Sequence, residues 1–236
     1  MSSRAVLAAG AFAALIAHPS GSTLRYRIAG DDLYRVGTAA TTHIAYSGMQ
    51  VLAVARARGV TQFTAQADCT RTDAAGSTVE HARFVQDELP DGSFEDRTDE
   101  DPDFLTILNQ PFAVRLDVAT VRDLRELRAP VPFAAASPVG GGDLRGTLRP
   151  GVNGILGGRR VVGVEFRADG FVNGPLPEQN ARIKGRIHLD GTAYYDTVQS
   201  MLLALDARLT IDGMLTGTHL FAVPVRIVYS RSIKIV

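Results

Sequence analysis

Apolar and polar residues alternate one by one along much of this chain, the pattern of strands with one buried and one wet face. Leu24-Arg25-Tyr26-Arg27-Ile28 is the first such run, and Gly30-Asp31-Asp32 after it reads as a turn. Residues 35–46, 49–58, 60–71 and 78–85 continue the pattern, separated by Ser47-Gly48, Gly59 and Asp73-Ala74-Ala75-Gly76. In the C-terminal part, strands are expected over 160–167, 181–195, 201–211 and 223–235. Leu205 to Ile211 alternates strictly and ends at Asp212-Gly213, a hairpin signal. Breaks fall roughly 10 to 14 residues apart, which suits an antiparallel meander of long strands.

Three stretches depart from this period. Residues 86–103 are acidic and turn-rich, with Arg97 as the lone cation, and read as a solvated loop. Thr120 is placed to cap a short helix that has Val121, Leu124 and Leu127 at helical spacing and is ended by Pro130 and Pro132. Residues 129–158 are rich in Pro and Gly and read as a connection. The expected fold is therefore all-β, or β-rich α+β: a large curved antiparallel sheet or half-barrel with at most one or two short helices. Its organisation is a signal peptide over 1–22 and a β-rich domain over 23–236, either undivided or in two halves, 23–128 and 159–236, joined by 129–158.

The N-terminal expectation rests on Arg4, the Ala-rich apolar run from Ala5 to Ala17, and His18-Pro19-Ser20-Gly21-Ser22. Such a run is too short to span a bilayer as a helix and ends in small residues, the form of a cleavable export signal. The mature chain is then periplasmic or extracellular, with no transmembrane span. No cysteine follows the run, so a lipid anchor is not expected, and no Arg-Arg pair precedes it. Cys69 is the single cysteine, which leaves no intrachain disulfide and reads as a small buried hydrophobe. Lysines plus arginines and acidic residues both number 25, so no net field recruits nucleic acid.

Candidate chemistry is sparse. There is no G-x-S-x-G, and the five histidines, His18, His43, His81, His188 and His219, are scattered. Gly140-Gly141-Gly142-Asp143-Leu144-Arg145-Gly146 lacks the Lys-Ser/Thr ending of a phosphate loop. Asp99, Asp101 and Asp103 place alternate carboxylates as a weak Ca2+ loop would, but an EF-hand would need Gly at Phe104 and Glu at Gln110. Tyr26, Tyr34, Phe63, Phe84, Tyr194 and Tyr195 put aromatics in the expected strands, where they either fill the core or line an apolar cavity.

Asn109-Gln110-Pro111-Phe112-Ala113-Val114-Arg115-Leu116-Asp117, Gly191-Thr192-Ala193-Tyr194-Tyr195-Asp196 and the strand Leu205 to Ile211 follow one another as in exported bacterial β proteins of undescribed function, which the chain resembles. More distantly it is similar to the lipoprotein-carrier family of half-barrels. The resemblance implies a ligand-holding curved sheet and carries over no functional residue. The expected function is non-enzymatic binding of an apolar or amphipathic ligand in the cell envelope. The alternatives are a structural or protein-interaction component of the envelope and a hydrolase with an unrecognised site.

Overall fold

The computed structural model describes residues 21–91, 93, 98–100, 116, 118–126, 129–136, 143–176, 180–217 and 220–236. The alternating runs form very long strands: β1 (Ser22–Val36), β2 (Thr42–Ala57), β3 (Val60–Asp73) and β4 (Gly76–Glu88), then the short β5 (Thr98–Glu100). After the helix α1 (Val118–Glu126) come β6 (Val131–Ala136), β7 (Asp143–Pro150), β8 (Gly154–Leu156), β9 (Arg159–Leu176), β10 (Ala181–Asp196), β11 (Leu202–Gly217) and β12 (Leu220–Ile235). All pairings are antiparallel, and the strand order is β5-β4-β3-β2-β1-β12-β11-β10-β9-β7-β6, with β8 hydrogen-bonded to β9. The sheet is open, with β5 and β6 as its edges among the described residues. Pairing of β1 with β12 joins the first four long strands to the last ones, so both halves of the chain lie in one continuous sheet. Residues 129–158, whose Pro and Gly suggest a connection, contain β6, β7 and β8.

Strand register fixes which side chains share a face. Leu24, Tyr26, Ile28, Gly30 and Asp32 form the buried phase of β1, and their partners on β2 and β12 carry it across the sheet. Tyr34, Ile227, Ile211 and Ile187 form one cross-strand row on this inner face, and Tyr229, Leu209 and Leu189 form the next. One cluster of buried side chains runs from Phe84 on β4 to Leu148 on β7, each large member contributing roughly 1.5–3 kcal/mol of apolar burial. The helix α1 packs on β7 and β9, burying Val121 and Leu124. It starts at Val118, so Thr120 lies in its first turn rather than before it. No helix among the described residues is long and apolar enough to cross a membrane.

Two kinds of glycine explain where the sequence and the structure part company. Gly59 has φ of 85° after Arg58 at 53°, and Gly157 and Gly158 have 55° and 76°, so these are tight two-residue turns that need left-handed backbone. Gly30, Gly48 and Gly213, which read as turns, sit inside strands instead. A Cβ on Gly48 would lie 2.0 Å from the Asp68 carbonyl oxygen, and one on Gly213 would lie 2.5 Å from that of Lys184. These inner-face glycines let neighbouring backbone approach where the sheet bends, which is a use of glycine within strands rather than between them.

Candidate functional site

At one end of the sheet the inner faces of β1, β2 and β3 finish in Ser22, Val54, Arg56, Thr61 and Phe63, all in the same phase by register. The turn joining β10 to β11 reaches across to them, and Val198, Gln199 and Met201 close the other side of a cleft of about 330 Å³. That volume lies within the range of small-molecule sites. The turn is built by Asp196: its carboxylate accepts hydrogen bonds from the backbone N–H groups of Val198 at 2.8 Å and Gln199 at 2.7 Å. The Asp196 N–H donates to the Met201 carbonyl at 2.9 Å, and Ser200 takes φ of 57° to close the loop. Phe63 is fully buried at the base of the cleft and Met201 is nearly so.

Deeper on the inner face lies a charged cluster. Arg231 and Asp32 form an ion pair with both side chains buried, and Arg231 also donates to the Ser230 carbonyl at 2.9 Å. The guanidinium carbon lies 5.3 Å from the centroid of Tyr46 and 5.4 Å from that of Tyr229, within cation–π range of both. Tyr34 donates to Asp32 at 3.3 Å and meets Tyr229 edge to face at 5.9 Å. Burial pushes the Asp32 carboxyl above its ordinary range, against the pull of Arg231 and the tyrosine hydroxyls. The same cause raises the Tyr46 hydroxyl to about 12 and the Cys69 thiol to about 12, so neither ionises near neutrality. Nearer the cleft, Tyr26 donates to the Leu202 carbonyl at 2.8 Å, with its hydroxyl pKa pushed far up by burial. Opposite it in register, the buried Gln50 has an Oε1 without a hydrogen-bond partner.

The outer face carries a second concavity, about 390 Å³, running over β1, β12, β11 and β10. The backbone of Gly30, Ala207 and Gly191 lines it together with the outward-facing Asp31, Asp190, Asp206 and Arg208. Beside it the His188 ring lies between Asp169 at 2.7 Å and Asp190 at 3.4 Å. Two further cross-strand pairs on the outer face, His81 with Asp68 and His43 with Asp31, are also 2.7 Å apart. Exposed pairs of this kind contribute under about 1 kcal/mol each and pin strand register more than they stabilise the fold. No group of three or more His, Cys, Asp or Glu side chains among the described residues is arranged to hold a metal ion.

Of the aromatics singled out in the sequence, Tyr26, Tyr34, Phe63, Phe84 and Tyr195 lie in the inner-face phase. Phe63 lines the cleft, Tyr34 belongs to the charged cluster, and Tyr26, Phe84 and Tyr195 are packed in the core. Tyr194 is half-buried in the opposite phase, because adjacent residues of a strand face opposite ways. Asp99 is in β5, whereas Asp101 and Asp103 lie outside the described residues, as do residues 1–20 of the segment 1–22 expected to be an export signal. Sequence reasoning missed Asp32 and Arg231. The signal was a charged residue at an apolar position of the alternation: Asp32 continues Leu24-Tyr26-Ile28, and Arg231 is in phase with Tyr229 and Ile233. Neither a protein-family model nor a curated protein matches the chain.

Proposed function

We propose that the protein is an exported, non-enzymatic binder of an apolar or amphipathic ligand, which it holds on the inner face of the curved sheet and admits through the cleft between β1–β3 and the β10–β11 turn. The observation that carries this reading is the cleft itself: a volume of about 330 Å³ lined by the apolar Val54, Phe63, Val198 and Met201 and by the polar Ser22, Arg56, Thr61 and Gln199, a mixed lining that suits an amphipathic ligand. An apolar ligand entering it is driven by the same transfer of surface from water that stabilises the core. Export is supported by the apolar run from Ala5 to Ala17 and its small-residue ending.

Native mass spectrometry of the protein isolated from an expressing bacterium, with organic extraction of the same sample, reads any retained ligand. N-terminal sequencing of that sample reads the processing site. In parallel, cis-parinaric acid is titrated against the wild type and against Gln199→Trp, in which an exposed cleft residue is enlarged to fill the opening. The expected result is saturable probe binding by the wild type and at least about five-fold weaker binding by Gln199→Trp at unchanged melting temperature, since one lost apolar contact region is worth about 1 kcal/mol. A protein that comes off the column without ligand and takes up no probe would sink the proposal.

A further inference from the structure

The loops at the cleft end of the sheet carry the most exposed large apolar side chains among the described residues. Val198 is 85% exposed, Val152 77% and Ile155 75%. They are neighbours: Ile155 pairs with Arg160 in the β8–β9 hairpin, the Thr197 N–H donates to the Arg160 carbonyl at 3.1 Å, and the Gly151 N–H donates to that of Gly163 at 2.7 Å. At the opposite end, the described turns Gly37-Thr38-Ala39-Ala40-Thr41 and Asp73-Ala74-Ala75-Gly76 offer only small and polar residues. A single exposed aliphatic side chain needs no explanation, but two valines and an isoleucine on adjacent loop tips at the cleft end of the sheet do. Cations accompany them. Arg159 and Arg160 are in the same hairpin, the Arg159 guanidinium lying 3.9 Å from the buried Asp196 carboxylate and remaining 40% exposed, and Arg58 is exposed on the β2–β3 turn across the cleft, while Glu88 at this end is buried. Asp91, exposed beyond β4, is a counter-charge at the side, and the sequence that follows it carries further carboxylates from Glu95 to Asp103.

We infer that this end of the sheet docks on an anionic lipid bilayer: Val152, Ile155 and Val198 enter the interface, Arg58, Arg159 and Arg160 meet the lipid phosphates, and the cleft opens directly onto lipid. Apolar tips flanked by cations are the arrangement that gives reversible, charge-dependent binding to a membrane surface. The inference rests on the ligand reading above, since docking places the cleft where an amphipathic ligand would be taken up or released, but it is measured separately.

The chain contains no tryptophan, so single reporters can be placed at will. Val198→Trp reports the tip and Ala39→Trp the far end, both in the full chain, so that the N-terminal apolar run is common to the two. On vesicles of equimolar phosphatidylethanolamine and phosphatidylglycerol, the Val198→Trp emission is expected to shift to the blue and to be quenched by brominated acyl chains. Ala39→Trp should show neither change. Adding Arg159→Gln and Arg160→Gln to Val198→Trp should weaken vesicle binding by roughly five-fold per charge. A tip reporter that stays unshifted and unquenched, or reporters at both ends that respond equally, would overturn the docking geometry, and undiminished binding by the glutamine variant would overturn its electrostatic half. Probe uptake in vesicle-free buffer without the vesicle response removes docking alone, and the converse removes the ligand reading alone.

Discussion

At the scale of single residues, the buried Asp32–Arg231 pair is the feature with the largest consequences. Burial raises the Asp32 carboxyl, and Arg231, first by its hydrogen bond and then by its charge, pulls it back. A carboxyl whose pKa is higher in the folded than in the unfolded state holds its proton more tightly when folded. Its contribution to stability is therefore fully present below the ordinary value, about 3.9, and is lost as pH rises through the raised one. Arg231→Met removes the opposing pull and widens that window. At neutral pH it should cost about 3–5 kcal/mol by leaving a buried carboxylate without its counter-charge. The deficit relative to wild type should shrink as pH falls towards 4, and adding Asp32→Asn should recover most of it at neutral pH. Denaturant unfolding at several pH values checks both, and a pH-independent deficit would contradict the account. Gly48 makes a second residue-scale case. Gly48→Ala must push strand backbone apart and should cost about 1–3 kcal/mol, whereas Gly154→Ala, with nothing within 4 Å of the new Cβ, should change the melting temperature little.

At the scale of elements, the β10–β11 turn decides whether the cleft exists. Its form depends on one side chain, Asp196, satisfying two backbone N–H groups that would otherwise point into the chain reversal unpartnered. Asp196→Ala should cost about 1 kcal/mol and loosen the loop locally. The expected signature is faster hydrogen exchange at Val198 and Gln199 and weaker cis-parinaric acid binding, with exchange in the centres of β10 and β11 unchanged. Asp196→Asn keeps an acceptor oxygen in place and should lie between the two. Equal exchange in wild type and Asp196→Ala would show that the loop is held by its surroundings instead. The helix α1 obeys a simpler rule: Val121 and Leu124 at helical spacing fix its buried side, so the face was readable even though its first residue was not.

At the scale of the whole molecule, the length of the strands matters most. Strands of 16 residues, as in β10, β11 and β12, run roughly 50 Å at the rise of an antiparallel strand, about three times the common length. A sheet of such strands twists and coils enough that the β10–β11 turn comes over β2 and β3, one and two strands beyond β1, the nearest strand of the first half. Among the described residues, one end is a mouth with apolar tips and the other carries small polar turns at 37–41 and 73–76. Function on this reading is a property of the ends of the sheet, while the middle supplies the core and the charged cluster.

Alternation with period two was enough by itself to establish strands, their antiparallel meander and which side chains of each strand lie together, because side-chain direction in a strand depends only on parity. It was also enough to put Tyr26, Phe63 and Phe84 on one face and, read in phase, would have put Asp32 there too. Whether Gly30, Gly48 and Gly213 ended a strand or bent one could not be read, since the difference lies in what neighbouring backbone occupies the place of the missing Cβ. The same holds for Asp32, which looks like a turn residue until Arg231, 199 positions away, is brought against it. Tertiary structure alone decided the pairing of β1 with β12, the cleft and its rim, because each depends on the course of the whole sheet, and its curvature is the sum of small twists that no local window of sequence contains.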